Sequence, residues 1–203
     1  MVQPYRCICS DPPWAFGDSL PGSKRGAASH YRLMSVDEIC AFTLPPIADD
    51  ALLFLWRVAA MQEEALRVMR AWGFVPKSEI VWVKTHEKDG VVQRFCATGD
   101  GLAMGMGRTT RQAHEVCLIG RRGRPVIKDH SVRSVFFAPR GRHSEKPALA
   151  FAQFERLCDG PRVELFARRH RPNWTGFGLE LPSAPLPRMP TPKSRKSDGR
   201  VSA

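Results

Sequence analysis

The chain has 203 residues, a length that suits one globular domain followed by a tail. Its hydrophobic content of 43% and charged content of 25% are typical of a globular protein. Its longest apolar run, residues 51–56, is far shorter than the roughly 20 residues that cross a bilayer, which excludes a membrane-spanning protein.

The net charge indicates the class of binding partner, and the cysteines indicate the cellular compartment. The formal net charge is +11, which predicts a polyanionic partner, with nucleic acid as the leading class. The alternative is that the charge only keeps the protein in solution. The N-terminus lacks the apolar core of a secretory signal, and the six cysteines show no disulfide-framework spacing. We therefore expect a reducing, cytoplasmic setting.

Strands and helices alternate along the predicted chain. The pattern predicts strands over residues 5–10, 51–56, 79–84, 115–119, 132–137 and 162–167. A capping box, Ser35 to Glu38, opens a short helix that Pro45 and Pro46 end, and further helices are predicted over residues 60–72 and 147–158. This alternation predicts an open α/β sheet with helices on both faces and ligands bound outside the carboxyl ends of the strands.

Two segments lack the apolar periodicity of a packed element. Residues 17–32 are rich in glycine, serine and basic side chains, which indicates a loop that moves or binds. Residues 182–203 contain five prolines and five basic residues and offer almost nothing apolar to bury. We therefore expect a domain over residues 1–181 and a disordered, proline-rich basic tail over 182–203.

The most informative motif is Asp11-Pro12-Pro13-Trp14, which directly follows the first predicted strand. The exocyclic amine of a nucleobase is a poor nucleophile, so a catalyst must accept its N–H hydrogens and hold the nitrogen for in-line attack. The Asp11 carboxylate and the Pro12 carbonyl suit that role, Pro12 and Pro13 fix the direction of the carbonyl, and Trp14 offers a face to the base. The simpler reading is a proline turn after a strand, with Trp14 in the core.

With these residues the chain resembles the N6-adenine methyltransferases that carry a DPPW motif. That family includes the catalytic subunit of the eukaryotic messenger-RNA adenosine methyltransferase and many bacterial and phage enzymes. The likeness runs from Arg6 to Leu181. Besides residues 11–14 it includes the short motifs at residues 30–31, 34–35, 51–56, 71–74, 81–84, 107–110, 114–115, 138–140, 143–144, 146–147, 164–168 and 172–174.

The resemblance implies a circularly permuted, Rossmann-like class I methyltransferase fold, with a mostly parallel sheet and helices on both faces. It implies S-adenosylmethionine as the cofactor and direct methyl transfer to the N6 amine of adenine in nucleic acid, DNA favoured over RNA. The enzyme would flip the base out of a duplex or act on single strands. The bacterial or phage members of the family are the expected relatives.

The resemblance also implies a set of cofactor-binding residues: Lys146, Glu164, Phe166, Arg168, His170, Asn173 and Glu180. Lys146 would meet the carboxylate of the cofactor, and acids and cations suit its ribose hydroxyls and zwitterionic end. The simpler readings are a solvated helix N-terminus for Lys146 and a structural ion pair for Glu164 and Arg168. Two positions depart from the family pattern: Leu179 replaces a usual asparagine, and Arg171 replaces the asparagine of the eukaryotic enzyme.

Substrate contacts are predicted at five residues: Tyr31, Lys84, Arg108, Thr110 and Arg111. Three of them, Arg108, Thr110 and Arg111, lie in a basic segment over residues 107–143. This segment contains nine lysines and arginines but only two acidic residues, Glu115 and Asp129. Such clustering suits a phosphate backbone, and a solvated surface is the alternative.

Other kinds of site are disfavoured by spacing. Gly105 and Gly107 do not continue into a dinucleotide fingerprint, and the sequence has no Walker phosphate loop. Cys7 and Cys9 have no second pair at zinc spacing, so buried thiols are expected and no metal site. The rival functions are a non-catalytic nucleic-acid-binding paralogue or subunit of the same fold, and a methyltransferase for another amine.

Overall fold

The structure is a computed structural model that describes residues 3–16, 32–88, 91–92, 98–105, 109–141 and 145–178. Residues 17–31 of the predicted loop over residues 17–32, and the whole predicted tail over 182–203, lie outside these ranges. The division between domain and tail therefore stays a prediction.

Nine strands and three helices occupy the described ranges. The strands are β1 (Tyr5–Ser10), β2 (Ile47–Arg57), β3 (Val75–Thr85), β4 (Glu87–Lys88), β5 (Val91–Val92), β6 (His114–Arg122), β7 (Val135–Pro139), β8 (Arg162–Leu165) and β9 (Thr175–Phe177). The helices are α1 (Val36–Cys40), α2 (Gln62–Ala71) and α3 (Ala148–Leu157).

Within the described residues, seven strands form one sheet in the order β7-β3-β6-β2-β1-β8-β9, and β4 pairs with β5. Strand β1 is parallel to both of its neighbours, β2 and β8. Strand β6 is antiparallel to β2 and β3, while β7 is parallel to β3 and β9 to β8. The expected mostly parallel sheet is confirmed, because β6 alone among these seven strands is reversed.

An uninterrupted apolar run such as residues 51–56 is typical of a strand between parallel neighbours, and the reversal of β6 corrects that interpretation. That run is fully buried, as in a parallel sheet, yet one of its two partners is antiparallel. Burial on both faces depends on what covers the sheet and not on the direction of the neighbouring strand, so apolarity could not identify the orientation.

Helices cover both faces of the sheet, as expected. On one face α1 and α2 bury Ile39, Ala65, Val68 and Met69 in a core with Ile8 and other strand residues. On the other face α3 buries Ala150, Phe151 and Phe154 against strand residues that include Cys7 and Cys9. The expectation of buried thiols is confirmed, and burial raises the pKa of both thiols well above the usual range.

The helix boundaries follow local capping chemistry. The Ser35–Glu38 capping box is present: the Ser35 hydroxyl accepts from the Glu38 N–H, and the Glu38 carboxylate accepts from the Ser35 N–H. Helix α1 ends at Cys40, earlier than the prolines require, and Phe42 then turns into the core. The predicted helices over 60–72 and 147–158 correspond to α2 and α3. In the described part of the chain, these helices are too short to cross a membrane.

Candidate active site

Asp11 lies at the centre of the carboxyl edge of the sheet. It directly follows β1, which is hydrogen-bonded to a parallel strand on each side. The next residues are held by backbone hydrogen bonds, in which the Met34 N–H donates to the Pro13 carbonyl at 2.8 Å and the Ala15 N–H to the Met34 carbonyl at 2.9 Å. The Pro12 carbonyl accepts from the Trp14 N–H at 2.9 Å, which leaves one of its two lone pairs available.

A row of four alternating charges, which we call the charge chain, starts at this aspartate. It consists of Asp11, Lys146, Glu115 and Lys84. Lys146 Nζ lies 2.7 Å from Asp11 Oδ2 and 3.2 Å from Glu115 Oε2, and Lys84 Nζ lies 2.9 Å from Glu115 Oε1. The chain joins the ends of β1 and β3, the start of β6 and the segment before α3.

The charge chain is largely withdrawn from solvent, since the Lys146 side chain is 9% exposed. Burial by itself lowers the pKa of Lys146, but the charges of Asp11 and Glu115 and their hydrogen bonds outweigh burial, and its pKa is raised. Burial raises the pKa of Glu115, whereas Lys146 and Lys84 lower it by more, so the net shift is downward. Both groups are therefore held in their charged forms.

Aromatic rings lie beneath the two ammonium groups. Lys146 Nζ is 5.4 Å from the ring centroid of Trp56, and Lys84 Nζ is 5.6 Å from that of Trp82. The two rings meet edge to face at 6.4 Å. Cation–π attraction adds to the ion pairs and limits where the lysines can move.

A second carboxylate lies at the end of the neighbouring strand β8. Glu164 Oε2 accepts from Arg171 Nε at 3.0 Å, and we call these two residues the Glu164–Arg171 pair. Burial raises the pKa of Glu164, Arg171 opposes that shift, and the nearby charge of Asp11 adds to it, so the net shift is upward. The negative charge of Glu164 is therefore less fully balanced by neighbouring positive charges than that of Glu115.

The backbone after β8 adopts an unusual conformation. Phe166 has a φ of 60° and Asn173 a φ of 64°, both in the left-handed region. Asparagine tolerates that region, but a bulky phenylalanine does so only when its surroundings hold it there. The Phe166 ring packs against Phe42 at 4.8 Å, and the Ala167 N–H donates to the Phe177 carbonyl at 2.9 Å. Such strain is a feature of functional sites.

The structure places the predicted catalytic and cofactor residues at the same edge of the sheet, but with partners that differ from those expected. Lys146 contacts Asp11 and Glu115, and Glu164 contacts Arg171, not Arg168. Arg168 is half-buried, while His170 and Asn173 are exposed beside the Glu164–Arg171 pair. Glu180 lies outside the described residues, and the cofactor roles stay predictions.

Trp14 and Lys84 are more buried than their predicted roles suggested. Trp14 is 4% exposed, and its indole N–H donates to the Trp56 carbonyl at 3.1 Å. Lys84 ends the charge chain and does not stand on the surface. Stacking of a base on Trp14 and direct substrate contact by Lys84 stay predictions, and the described arrangement gives both residues a role in packing.

The predicted basic segment is divided between the two ends of the sheet. Thr110 and Arg111 are exposed before the start of β6, and Arg140 follows β7, so all three lie at the edge that carries Asp11. Because β6 is antiparallel to its neighbours, its last residues and the loop to β7 lie at the opposite edge of the sheet. That edge carries Arg121, Arg122, Arg124, Lys128 and Arg133. Tyr31, Arg108 and Arg142 lie outside the described residues. In the part of the chain that the structure describes, the basic residues of this segment therefore do not lie together, and their binding to phosphates stays a prediction.

Sequence reasoning missed two residues of the site. Glu115 is the shared partner of both lysines, and a lone acid at the start of an apolar strand was the available signal. Arg171 was identified only as a departure from the family pattern. In neither case does spacing along the chain reveal the partner, since Glu115 and Lys146 are brought together by the sheet.

Comparison with known proteins agrees with this geometry. The MT-A70 family model matches residues 5–180. The chain is 32% identical over 181 residues to the N(6)-adenosine-methyltransferase MT-A70-like protein of Drosophila melanogaster, covering 87% of this chain and 27% of that protein. It is 31% identical to the human N(6)-adenosine-methyltransferase catalytic subunit METTL3, covering 87% and 28%.

A shorter relative is matched over most of its length. The type II methyltransferase M.MunI of a Mycoplasma species is 27% identical over 199 residues, covering 88% of this chain and 78% of that protein. By contrast, the chain spans about a quarter of the length of the eukaryotic relatives. MT-A70 methyltransferases use S-adenosylmethionine as the methyl donor and have a class I methyltransferase fold. From its matched residues, its sheet and the site at its carboxyl edge, this chain belongs to the MT-A70 family.

Proposed function

We propose that this protein is an S-adenosylmethionine-dependent N6-adenine methyltransferase that acts on nucleic acid, with DNA favoured over RNA. The observation that carries the proposal is the position of Asp11, a carboxylate fixed through one oxygen by Lys146 at the carboxyl edge of the sheet. Its other oxygen and the second lone pair of the Pro12 carbonyl are two acceptors one residue apart. An exocyclic amine has two hydrogens to offer to them.

The residues beside Asp11 fit the proposed cofactor by their chemistry. S-adenosylmethionine combines a carboxylate, an ammonium group, ribose hydroxyls and a sulfonium centre, and when bound it supplies an electrophilic methyl group. Glu164 offers an acceptor for hydroxyls or an ammonium group, and Arg168, His170 and Asn173 follow it in the segment after β8. Lys146 carries the cation for a carboxylate, although it already contacts two acids.

The proposed roles of the chain's own residues follow from these positions. Asp11 and the Pro12 carbonyl accept the amine hydrogens and hold the nitrogen with its lone pair directed for in-line attack. Lys146 fixes the Asp11 carboxylate through its Oδ2 oxygen. The methylated amine is strongly acidic while positively charged, so it loses its proton without a strong base. Orientation therefore accounts for most of the acceleration.

The preference for DNA is supported by the length of the matched relatives, whereas charge supports nucleic acid of either kind. The type II methyltransferase is matched over 78% of its length, whereas the adenosine methyltransferases are matched over about a quarter. Arg111 and Arg140 stand at the edge that carries Asp11, where a phosphate backbone would pass a flipped base.

The test is product analysis after methyl transfer. The protein is incubated with methyl-labelled S-adenosylmethionine and, separately, unmethylated bacterial genomic DNA in duplex and single-stranded form and total RNA. Each sample is then digested to nucleosides. We expect label in N6-methyldeoxyadenosine, and none with Asp11→Ala, while Asp159→Ala, a surface acid at the opposite edge, stays active.

Three outcomes would contradict parts of the proposal. Label in N6-methyladenosine of RNA alone would overturn the preference for DNA. Label in N4-methylcytosine would overturn the assignment to adenine. Cofactor and nucleic-acid binding without transfer would identify a non-catalytic binding protein of the same fold.

A further inference from the structure

Arg171 contacts three parts of the site at once. Its Nε donates to Glu164 at the end of β8 at 3.0 Å, and its Nη2 donates to the Lys146 carbonyl before α3 at 3.4 Å. Its guanidinium carbon lies 3.6 Å from the ring centroid of Phe151 on α3. With its side chain 10% exposed, the arginine is a bridge inside the protein.

The bridge joins the two halves of the site. Lys146 reaches Asp11 with its ammonium group, while its backbone carbonyl is held by Arg171. Glu164 accepts from another nitrogen of the same guanidinium. The charge chain and the carboxylate of β8 are therefore connected through one side chain, and a planar guanidinium can make both contacts while stacking on a ring, which a lysine cannot.

The charges around Glu164 show what removal of Arg171 would change. Glu164 faces Cys9 on β1, Asp11 after β1, and Arg169 and Arg171 after β8. Burial and Asp11 disfavour its charged form, and Arg171 is the stronger of the two arginines that oppose them. Without Arg171 the carboxylate would take up a proton at higher pH than it does now.

We propose that Arg171 is a positioning residue that holds the Glu164 carboxylate in place for the cofactor and ties it to the Lys146 backbone. This inference rests on the proposed function, because it assumes that Glu164 contacts S-adenosylmethionine. It assigns a role to a position where this chain departs from the eukaryotic pattern. An arginine paired with Glu164 replaces a neutral amide side chain there.

The test measures S-adenosylmethionine binding by calorimetry from pH 6 to pH 9 without nucleic acid. Loss of a hydrogen bond to a charged group weakens binding by about tenfold or more, so Arg171→Met should show at least that loss at pH 6. The loss should be larger at the acidic end of this range than at the basic end, because Glu164 takes up a proton at higher pH when Arg171 is absent. Arg171→Lys keeps the positive charge but loses the planar guanidinium that makes two hydrogen bonds. It should bind S-adenosylmethionine more weakly than the wild type, with the same dependence on pH.

The controls separate this role from a general loss of structure. Arg156→Met removes an arginine of α3 whose partner, Asp129, lies on the surface, and should bind as the wild type does. Glu164→Gln should weaken binding equally at every pH, and thermal unfolding of each variant reports whether it folds. If Arg171→Met fails to fold, the comparison of Arg171→Lys with Glu164→Gln still tests the assignment.

The two possible failures are distinguishable. If the wild type binds S-adenosylmethionine and Arg171→Met binds it equally at all pH values, the positioning role is wrong and the proposed function survives. Parallel pH profiles of unequal affinity for the wild type and Arg171→Met would also overturn the positioning role. If the wild type binds no S-adenosylmethionine, the proposed function fails and this inference fails with it.

Discussion

The charge chain and the Glu164–Arg171 pair both place a half-buried carboxylate against a basic side chain, yet the two carboxylates respond in opposite directions. Glu115 contacts two lysines, and its pKa is lowered. Glu164 contacts one arginine, feels the charge of Asp11, and its pKa is raised. Burial therefore penalises the charged carboxylate in both places, and the balance between the neighbouring positive charges and the charge of Asp11 decides the direction of the pKa shift.

The largest expected effect comes from removing the carboxylate that the charge chain presents. Asp11→Ala should lower turnover by roughly a hundredfold or more, because one preorganised polar contact to the reacting group is lost. Cofactor affinity should change little. Methyl transfer under saturating cofactor measures the effect, and activity within threefold of the wild type would contradict the proposed mechanism.

The next effect concerns stability. Lys146→Met leaves Asp11 and Glu115 as neighbouring buried charges without their shared cation, which should cost about 3 kcal/mol of unfolding free energy at pH 7. Urea denaturation gives the value. Lys128→Met is the matched control, because Lys128 pairs with Asp159 on the surface and should have little effect. Equal losses in the two variants would mean that the charge chain is no more than a surface pair.

The opposite pKa shifts predict opposite pH dependences. The lowered pKa of Glu115 means that its charge stabilises the fold above the ordinary value of 4.5, and that this contribution is lost as the pH falls through the lower value of the folded state. Glu115→Gln should therefore be less stable than the wild type at pH 7, and its stability should fall less steeply as the solution is acidified.

Glu164 behaves in the reverse sense. Its raised pKa means that its favourable contribution is present below the ordinary value of 4.5 and is lost as the pH rises through the higher value of the folded state. Relative to the wild type, Glu164→Gln should gain stability between pH 4 and pH 7. Urea denaturation of Glu115→Gln and Glu164→Gln between pH 4 and pH 7 measures both effects. Changes in unfolding free energy of the same sign in the two variants would contradict the opposite pKa shifts.

The smallest effect provides a reference without charge. Trp14→Phe removes the indole N–H that donates to the Trp56 carbonyl below the charge chain, which should cost about 1 kcal/mol. Because no titratable group is changed, the loss should be the same at pH 5 and pH 8. A loss that varies with pH would show that Trp14 also positions the charges above it.

Much of the fold was predictable because its signals are local. The Ser35–Glu38 capping box, the helix over residues 60–72 and the strand over residues 51–56 each depend on neighbours within a few residues, and the structure confirms all three. The tetrapeptide at residues 11–14 was also readable, since a strand that ends at two prolines must present its acid at the edge of a sheet.

Sequence patterns therefore predicted six of the nine described strands, all three described helices, the alternation of an α/β sheet and Asp11 after the first strand. Lys146 was assigned to the site only through the resemblance to the family. The direction of β6 could not be predicted from the sequence, because an apolar strand is buried equally well beside a parallel or an antiparallel neighbour. That reversal brings Glu115 to Asp11 and carries the Arg121–Arg133 loop to the far edge. Partners separated by tens of residues are chosen by strand order, and the charges that set a pKa come from those partners.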